Sequence, residues 1–178
     1  MDADLLRAIQ HHTARAAIGS SSMRGAGSAG VVRQARAFLS AMSLGSFGTS
    51  SEATFHTHLD RATNDLKRAL PKGAQHWGLA RKGLNIFLRG CLYTTYLREA
   101  YNLARAEYLF EVPLDSITGA HLVRKSRKTL SRWKTVRELN AETSAKYQAV
   151  AAKLAAKKGF ARVHLDAVWW GEREGAKT

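Results

Sequence analysis

Cysteine is almost missing from this 178-residue chain: Cys91 stands alone. One thiol excludes an internal disulfide framework and a zinc ribbon, and it fits a reducing compartment, so a cytoplasmic location is expected. No apolar run reaches the roughly 18 residues that a bilayer-spanning helix needs, so no membrane partner is expected. The acidic start Met1-Asp2-Ala3-Asp4 does not read as a signal peptide. Proline occurs only at Pro71 and Pro113. Acid is scarce as well: Asp and Glu total 14 against 28 Lys and Arg, a net charge of +14 and a pI near 10.4. From Ser116 to Arg137 there is no acid at all, while Arg124, Lys125, Arg127, Lys128, Arg132, Lys134 and Arg137 crowd together. Cations so placed repel one another unless an anion neutralises them, and releasing counterions from phosphates favours a polyanionic partner such as nucleic acid over the plainer roles of a solubility surface or ribosome association.

What is present fits one globular domain spanning 1–178, with 45% hydrophobic residues and enough length for a core. Apolar residues recur at helical spacing. Helices are expected over Asp4–Ala17, Val31–Leu44, Ala53–Leu70, Gly78–Leu97 and Ser116–Lys128, and from an Asn140 cap to Lys158. A short helix is expected around Ala104–Phe110. Gly19 to Gly30 is a loop of small residues with Arg24 in its middle, a composition that lets backbone approach a phosphate. Residues 161–170 alternate like a strand, but no second strand is there to pair with. A C-terminal helix is therefore expected, which puts Asp166 and Trp170 on one face. The fold class is all-α.

The chemistry concentrates in two places. Lys82 stands near the start of a helix that follows a tight turn at Pro71, and Asp115 opens a later helix after Val112-Pro113-Leu114. A lysine kept neutral by burial and by nearby cations such as Arg81 and Arg89 is a nucleophile, and a carboxylate stabilises positive charge developing on a sugar. Ordinary roles exist for both: a surface cation, and a helix cap worth about 1 kcal/mol. His56, His58 and Asp60 are spaced to different sides of a helix, so no metal site is expected there, and no cofactor is expected anywhere.

The run Leu79-Ala80-Arg81-Lys82-Gly83-Leu84-Asn85 resembles the second hairpin helix of the helix-hairpin-helix DNA glycosylases, which often begins Gly-Val-Gly-Arg-Lys-Thr-Ala-Asn. Residues 53–97 would then be the helix-hairpin-helix. The resemblance implies that Lys82 is the Schiff-base nucleophile and Asp115 the catalytic aspartate. Their separation of 33 residues resembles the archaeal 8-oxoguanine glycosylase branch. That branch also implies a base pocket using Asp166 and Trp170, with Trp169, Trp77, Phe87 and His164 as further candidates to stack on or bond a flipped base. DNA contacts are expected from Arg24, Arg81, Arg89, Arg124, Lys125, Arg127, Lys128 and Arg132. Ala80 stands where the family has its second hairpin glycine, and Leu114 separates Pro113 from the aspartate. The match extends in three patches from Ala69 to Trp170, and the absence of a cysteine cluster excludes the iron–sulfur branches.

The expected function is therefore a monomeric DNA glycosylase, with or without lyase activity, that flips and excises a damaged or modified base. The branch suggests 8-oxoguanine; a bulky modified cytosine of phage DNA suits a glycine-rich pocket edge equally and would make the protein part of antiviral defence. The alternative is a non-catalytic helix-hairpin-helix DNA-binding module, which has no need for Lys82 and Asp115 to share a pocket. A tyrosine recombinase fragment, prompted by His121-Leu122-Val123-Arg124, lacks a convincing nucleophilic tyrosine.

Overall fold

The computed structural model describes residues 2–127 and 129–169. Among these residues every regular element is helical, as expected for an all-α chain. No helix among them is long and apolar enough to cross a membrane.

Helix α1 (Ala3–Ala17) starts where Asp2 Oδ1 accepts from the Leu5 amide at 2.8 Å. Helix α2 (Val31–Ala41) ends sooner than the expected Leu44. The reason is tertiary. The buried Gln10 amide on α1 donates to the carbonyls of Leu39 and Met42, both at 2.9 Å, and satisfies the end of α2 there. Leu44 and Phe47 then turn into the core.

Helix α3 (Glu52–Ala69) is capped by the Ser51 hydroxyl. It stops before Pro71, which holds Leu70 extended. The Gln75 side chain folds back to donate to the carbonyls of Arg68 and Leu70, closing a tight turn. Helix α4 (Trp77–Tyr93) follows, and it is buried on nearly every side, packed against α1, α2 and α3.

A single helix to Leu97 was expected, but α4 ends at Tyr93 and α5 (Thr95–Ala100) restarts at an angle. Thr94 is extended, and its hydroxyl donates back to the Gly90 carbonyl at 2.8 Å. The break lets Leu97 reach the core. A 3₁₀ segment, Leu103–Leu109, stands in place of the short α-helix. Helix α6 (Ser116–Lys125) stops three residues before the expected Lys128, since Arg127 turns to a φ of 51°. Helix α7 (Ala141–Ala156) runs from an Asn140 cap, and Gly159 at φ 77° turns the chain just beyond it. The described part of that stretch, 161–169, is neither strand nor one helix: a 3₁₀ turn at Arg162–His164 leads into helical residues 165–169.

Two apolar clusters result. The larger one joins α1 through α5, with Phe47, Phe55, Phe87 and Phe110 among its largest fully buried side chains. The second joins α6, α7 and 165–169 through Leu122, Tyr147, Ala151 and Trp169. The N-terminal end of α4 touches the second cluster through Trp77. There the backbones come close: a Cβ on Gly78 would lie 2.2 Å from the Val136 carbonyl oxygen and 2.7 Å from Leu139 Cβ.

Gly78→Ala therefore has to push a backbone segment away. Alanine gains roughly 1 kcal/mol in helix propensity, but overpacking costs roughly 1–3 kcal/mol, and a carbonyl cannot rotate aside as a side chain can. The expected outcome is a net loss of about 1 kcal/mol in urea unfolding. Gly19→Ala, with nothing within 4 Å of the new methyl, is expected to move stability by no more than about 0.5 kcal/mol.

Candidate active-site cleft

An opening of about 900 Å³ lies where α4, the end of α1, the glycine-rich loop, the start of α6 and residues 133–137 meet. Helix α4 presents Lys82, Ile86 and Arg89 to it, positions four and three apart that share one helix face. The start of α6 contributes Pro113, Asp115, Ser116 and Ile117, and the helical residues after Leu165 contribute Asp166. Arg24, Lys134 and Arg137 line it too, so the cleft has carboxylates and a lysine among a ring of cations.

The segment that delivers Asp115 is held from three directions. Arg162 donates to the carbonyls of Leu109 and Phe110 at 2.9 and 3.1 Å. Glu111, buried, accepts from Asn85 of α4 at 2.9 Å. Gln148 of α7 clamps Val112 by accepting from its amide at 3.1 Å and donating to its carbonyl at 2.8 Å. Asp115 then caps α6: Oδ1 accepts from the amides of Ile117 and Thr118 at 2.9 and 2.7 Å. Among the described residues Oδ2 takes no hydrogen bond. One carboxylate oxygen is occupied by the cap, and the other is left for a ligand.

Lys82 is only 8% exposed. Among the described residues its ammonium has no hydrogen bond and no ion pair; it feels Asp115, Arg24 and Asp166 only at longer range. Burial lowers its pKa below the usual lysine value, with Arg24 pushing the same way and Asp115 and Asp166 opposing. The single cysteine is silenced as a nucleophile: burial pushes the Cys91 thiol far up. Asp166 is buried and doubly held, by an ion pair from Arg89 to Oδ2 and by the Thr118 hydroxyl 3.3 Å from Oδ1.

Thus Lys82, Asp115, Asp166, Arg24 and Arg89 come together in one cleft. Several other sequence candidates do not. Arg81, expected on DNA, is 5% exposed; it pairs with Asp60, donates to Thr63 Oγ1 at 2.8 Å and lies over Trp77 at 4.8 Å. Its Nε stands 3.3 Å from Glu111 Oε2 without the alignment of a hydrogen bond, so that contact is Coulombic. Arg81 ties α3, α4 and the 109–115 segment together instead of meeting solvent. Trp77 is occupied by that cation and by the second apolar cluster.

Phe87 is fully buried in the larger core, away from the cleft. Trp169 stacks on His121 with centroids 5.1 Å apart, and it too is core. His164 sits between Tyr93 and Glu107, 2.9 Å from the phenol and 2.7 Å from the carboxylate. Arg124, Lys125, Arg127 and Arg132 are exposed. Trp170 and Lys128 lie outside the described residues, so the proposed Asp166/Trp170 face does as well.

The aromatic that does line the cleft is Trp133. Its ring lies against α6, where a Cβ on Gly119 would come within 2.7 Å of Cζ2, and its buried Nε1 has no hydrogen-bond partner. In the sequence Trp133 is an aromatic interleaved between the cations Arg132 and Lys134. It lies in an irregular segment, where periodicity carries no information about facing. Residues 133–137 are joined to the glycine-rich loop by Arg137, whose Nε donates to the Gly25 carbonyl at 2.7 Å.

Comparison with protein-family models, with curated proteins and with solved structures gave no match.

A buried lysine without a partner costs stability, and this gives a direct test. With its pKa lowered in the folded state, Lys82 binds fewer protons folded than unfolded at pH values between that lowered pKa and 10.5. Wild-type stability therefore rises with pH across that window, and the full penalty of burying the ammonium is felt below it. Lys82→Met is expected to raise Tm at pH 7, with an advantage that shrinks as the pH climbs toward 10. Calorimetric melts of both proteins across that range measure it.

Proposed function

We propose that this protein is a DNA glycosylase of the helix-hairpin-helix kind, with Lys82 as nucleophile and Asp115 as the electrostatic partner. The observation that carries the reading is the buried, unpaired Lys82 beside a carboxylate that keeps one oxygen free, both lining a cleft rimmed by cations. A lysine serving only as a surface cation would be solvated, and one serving only structure would be paired.

The chemistry follows. A duplex base is out of reach until it is flipped, and the half-buried ring of Trp133 is a surface on which it can stack. The neutral Nζ of Lys82 supplies an electron pair to C1′ as the bond from C1′ to the base breaks. That bond's pair leaves with the base, which takes up the proton that Nζ sheds. Asp115 stabilises the positive charge that develops on the sugar. Arg24, Lys134 and Arg137 suit the flanking phosphates. A covalent lysine–sugar intermediate also opens the way to strand cleavage by a lyase step.

Asp166 has its own two contacts, so reading a base edge with it means sharing an oxygen already bonded to Arg89 or Thr118. An oxidised purine and a bulky modified cytosine of phage DNA remain the two substrate classes, the second carrying a role in antiviral defence.

The test is base release from duplexes bearing oxidised purines, alkylated bases and glucosylated cytosines. Wild type is expected to release one of these. Asp115→Asn keeps the cap and removes the charge, so kcat is expected to fall about 10²–10³-fold with little change in DNA affinity. Lys82→Ala is expected to bind DNA and lose release. No release from any substrate by wild type that still binds DNA contradicts the proposal and leaves a non-catalytic DNA-binding module.

A further inference from the structure

The glycine-rich loop forms a wall of the cleft and also of a second, open groove of about 870 Å³. Arg24 and Gly25 line both. The groove is walled by α1 and α2 and carries Arg15, Arg24, Arg33 and Arg36, with no acid among its lining residues. Arg36 is partly committed to structure, donating to the carbonyls of Ile18 and Arg15. Arg15 and Arg33 are exposed, and among the described residues neither guanidinium has a hydrogen-bond or ion-pair partner. Several guanidinium groups held in one groove without a counter-charge repel each other, a cost that a polyanion removes.

The turn between α3 and α4 bears on the same loop. A Cβ on Gly73 would come within 2.5 Å of Ser28 Oγ, so the loop lies against that turn. Ser28 lines the arginine groove as well. The loop therefore touches that turn, and the groove beside it is open and cationic.

We propose that the arginine groove holds backbone phosphates of the DNA strand that leaves the cleft, the strand passing over Arg24 at the rim the two share. The occupant is DNA because the rim residue is common to the groove and to the cleft that takes the base. This inference rests on the DNA-binding half of the function proposed above and does not require base release.

The experiment compares binding of one 20-base-pair duplex across a salt series by wild type, Arg15→Gln/Arg33→Gln, and a charge-matched control, Lys153→Gln/Lys157→Gln, at the far end of α7. Each lost phosphate contact lowers the salt slope by about 0.9, so the groove variant is expected to bind roughly tenfold more weakly at 0.15 M salt with a slope reduced by about two. The control is expected to stay within about twofold. Equal behaviour of the two variants overturns the groove, and so does a loss seen with heparin or RNA but not with the duplex. Wild type that binds duplex yet releases no base sinks the glycosylase reading while leaving the groove standing. The two failures are therefore distinct.

Discussion

The constraint that organises this molecule is the burial of α4. A helix enclosed on nearly all sides has to satisfy every polar side chain inside the protein, because an unpaired buried charge costs several kcal/mol. Three of its polar residues meet that demand: Arg81 through Asp60 and Thr63, Asn85 through Glu111, Arg89 through Asp166. These partners come from α3, from the segment before α6 and from the helical residues after Leu165, so the same bonds that satisfy α4 assemble the elements around it. Lys82 is the exception. It stands between satisfied neighbours, on the one face of α4 that opens to a cleft.

That exception is a stored cost at a place where chemistry can use it. Cores do not keep unpaired ammonium groups for stability, and functional sites do keep strained or unsatisfied groups. The surroundings of Lys82 are built with care elsewhere: Asp115 is positioned by Arg162, Glu111 and Gln148 acting on the six residues before it. The cleft also has a separate wall, the glycine-rich loop, joined to the 133–137 segment by Arg137.

Much of this was legible beforehand, and the parts that were not share a cause. The helices α1, α3 and α7 announced themselves by apolar spacing, and α7 by its Asn140 cap as well, because those signals are local. Lys82 and Asp115 were picked out by residue type at helix starts and by a resemblance in the run around Arg81, and the cleft contains both. Arg81 was misread because its neighbours in sequence are apolar or cationic, while the acids that hold it, Asp60 and Glu111, are far along the chain. Charge counting cannot distinguish such an arginine from one facing solvent. The aromatics failed likewise: Phe87 and Trp169 entered cores whose existence depends on tertiary packing, while Trp133 lies in an irregular stretch with no period to read. The break at Thr94 has no such local signal: its hydroxyl bond to Gly90 is the same bond that Thr13, Thr57 and Thr63 make inside unbroken helices.

The central claim, that Lys82 is a poised nucleophile, is open to a measurement that does not depend on knowing the base. An abasic site already carries an aldehyde at C1′, and a neutral lysine condenses with it, losing water to form an imine that borohydride reduces to a stable amine. The protein is incubated with a duplex containing one abasic site and borohydride, digested, and the linked peptide located by mass spectrometry. The account predicts a single major adduct on Lys82, absent from Lys82→Ala. Adducts scattered over exposed lysines, or trapping undiminished in Lys82→Ala, would contradict it.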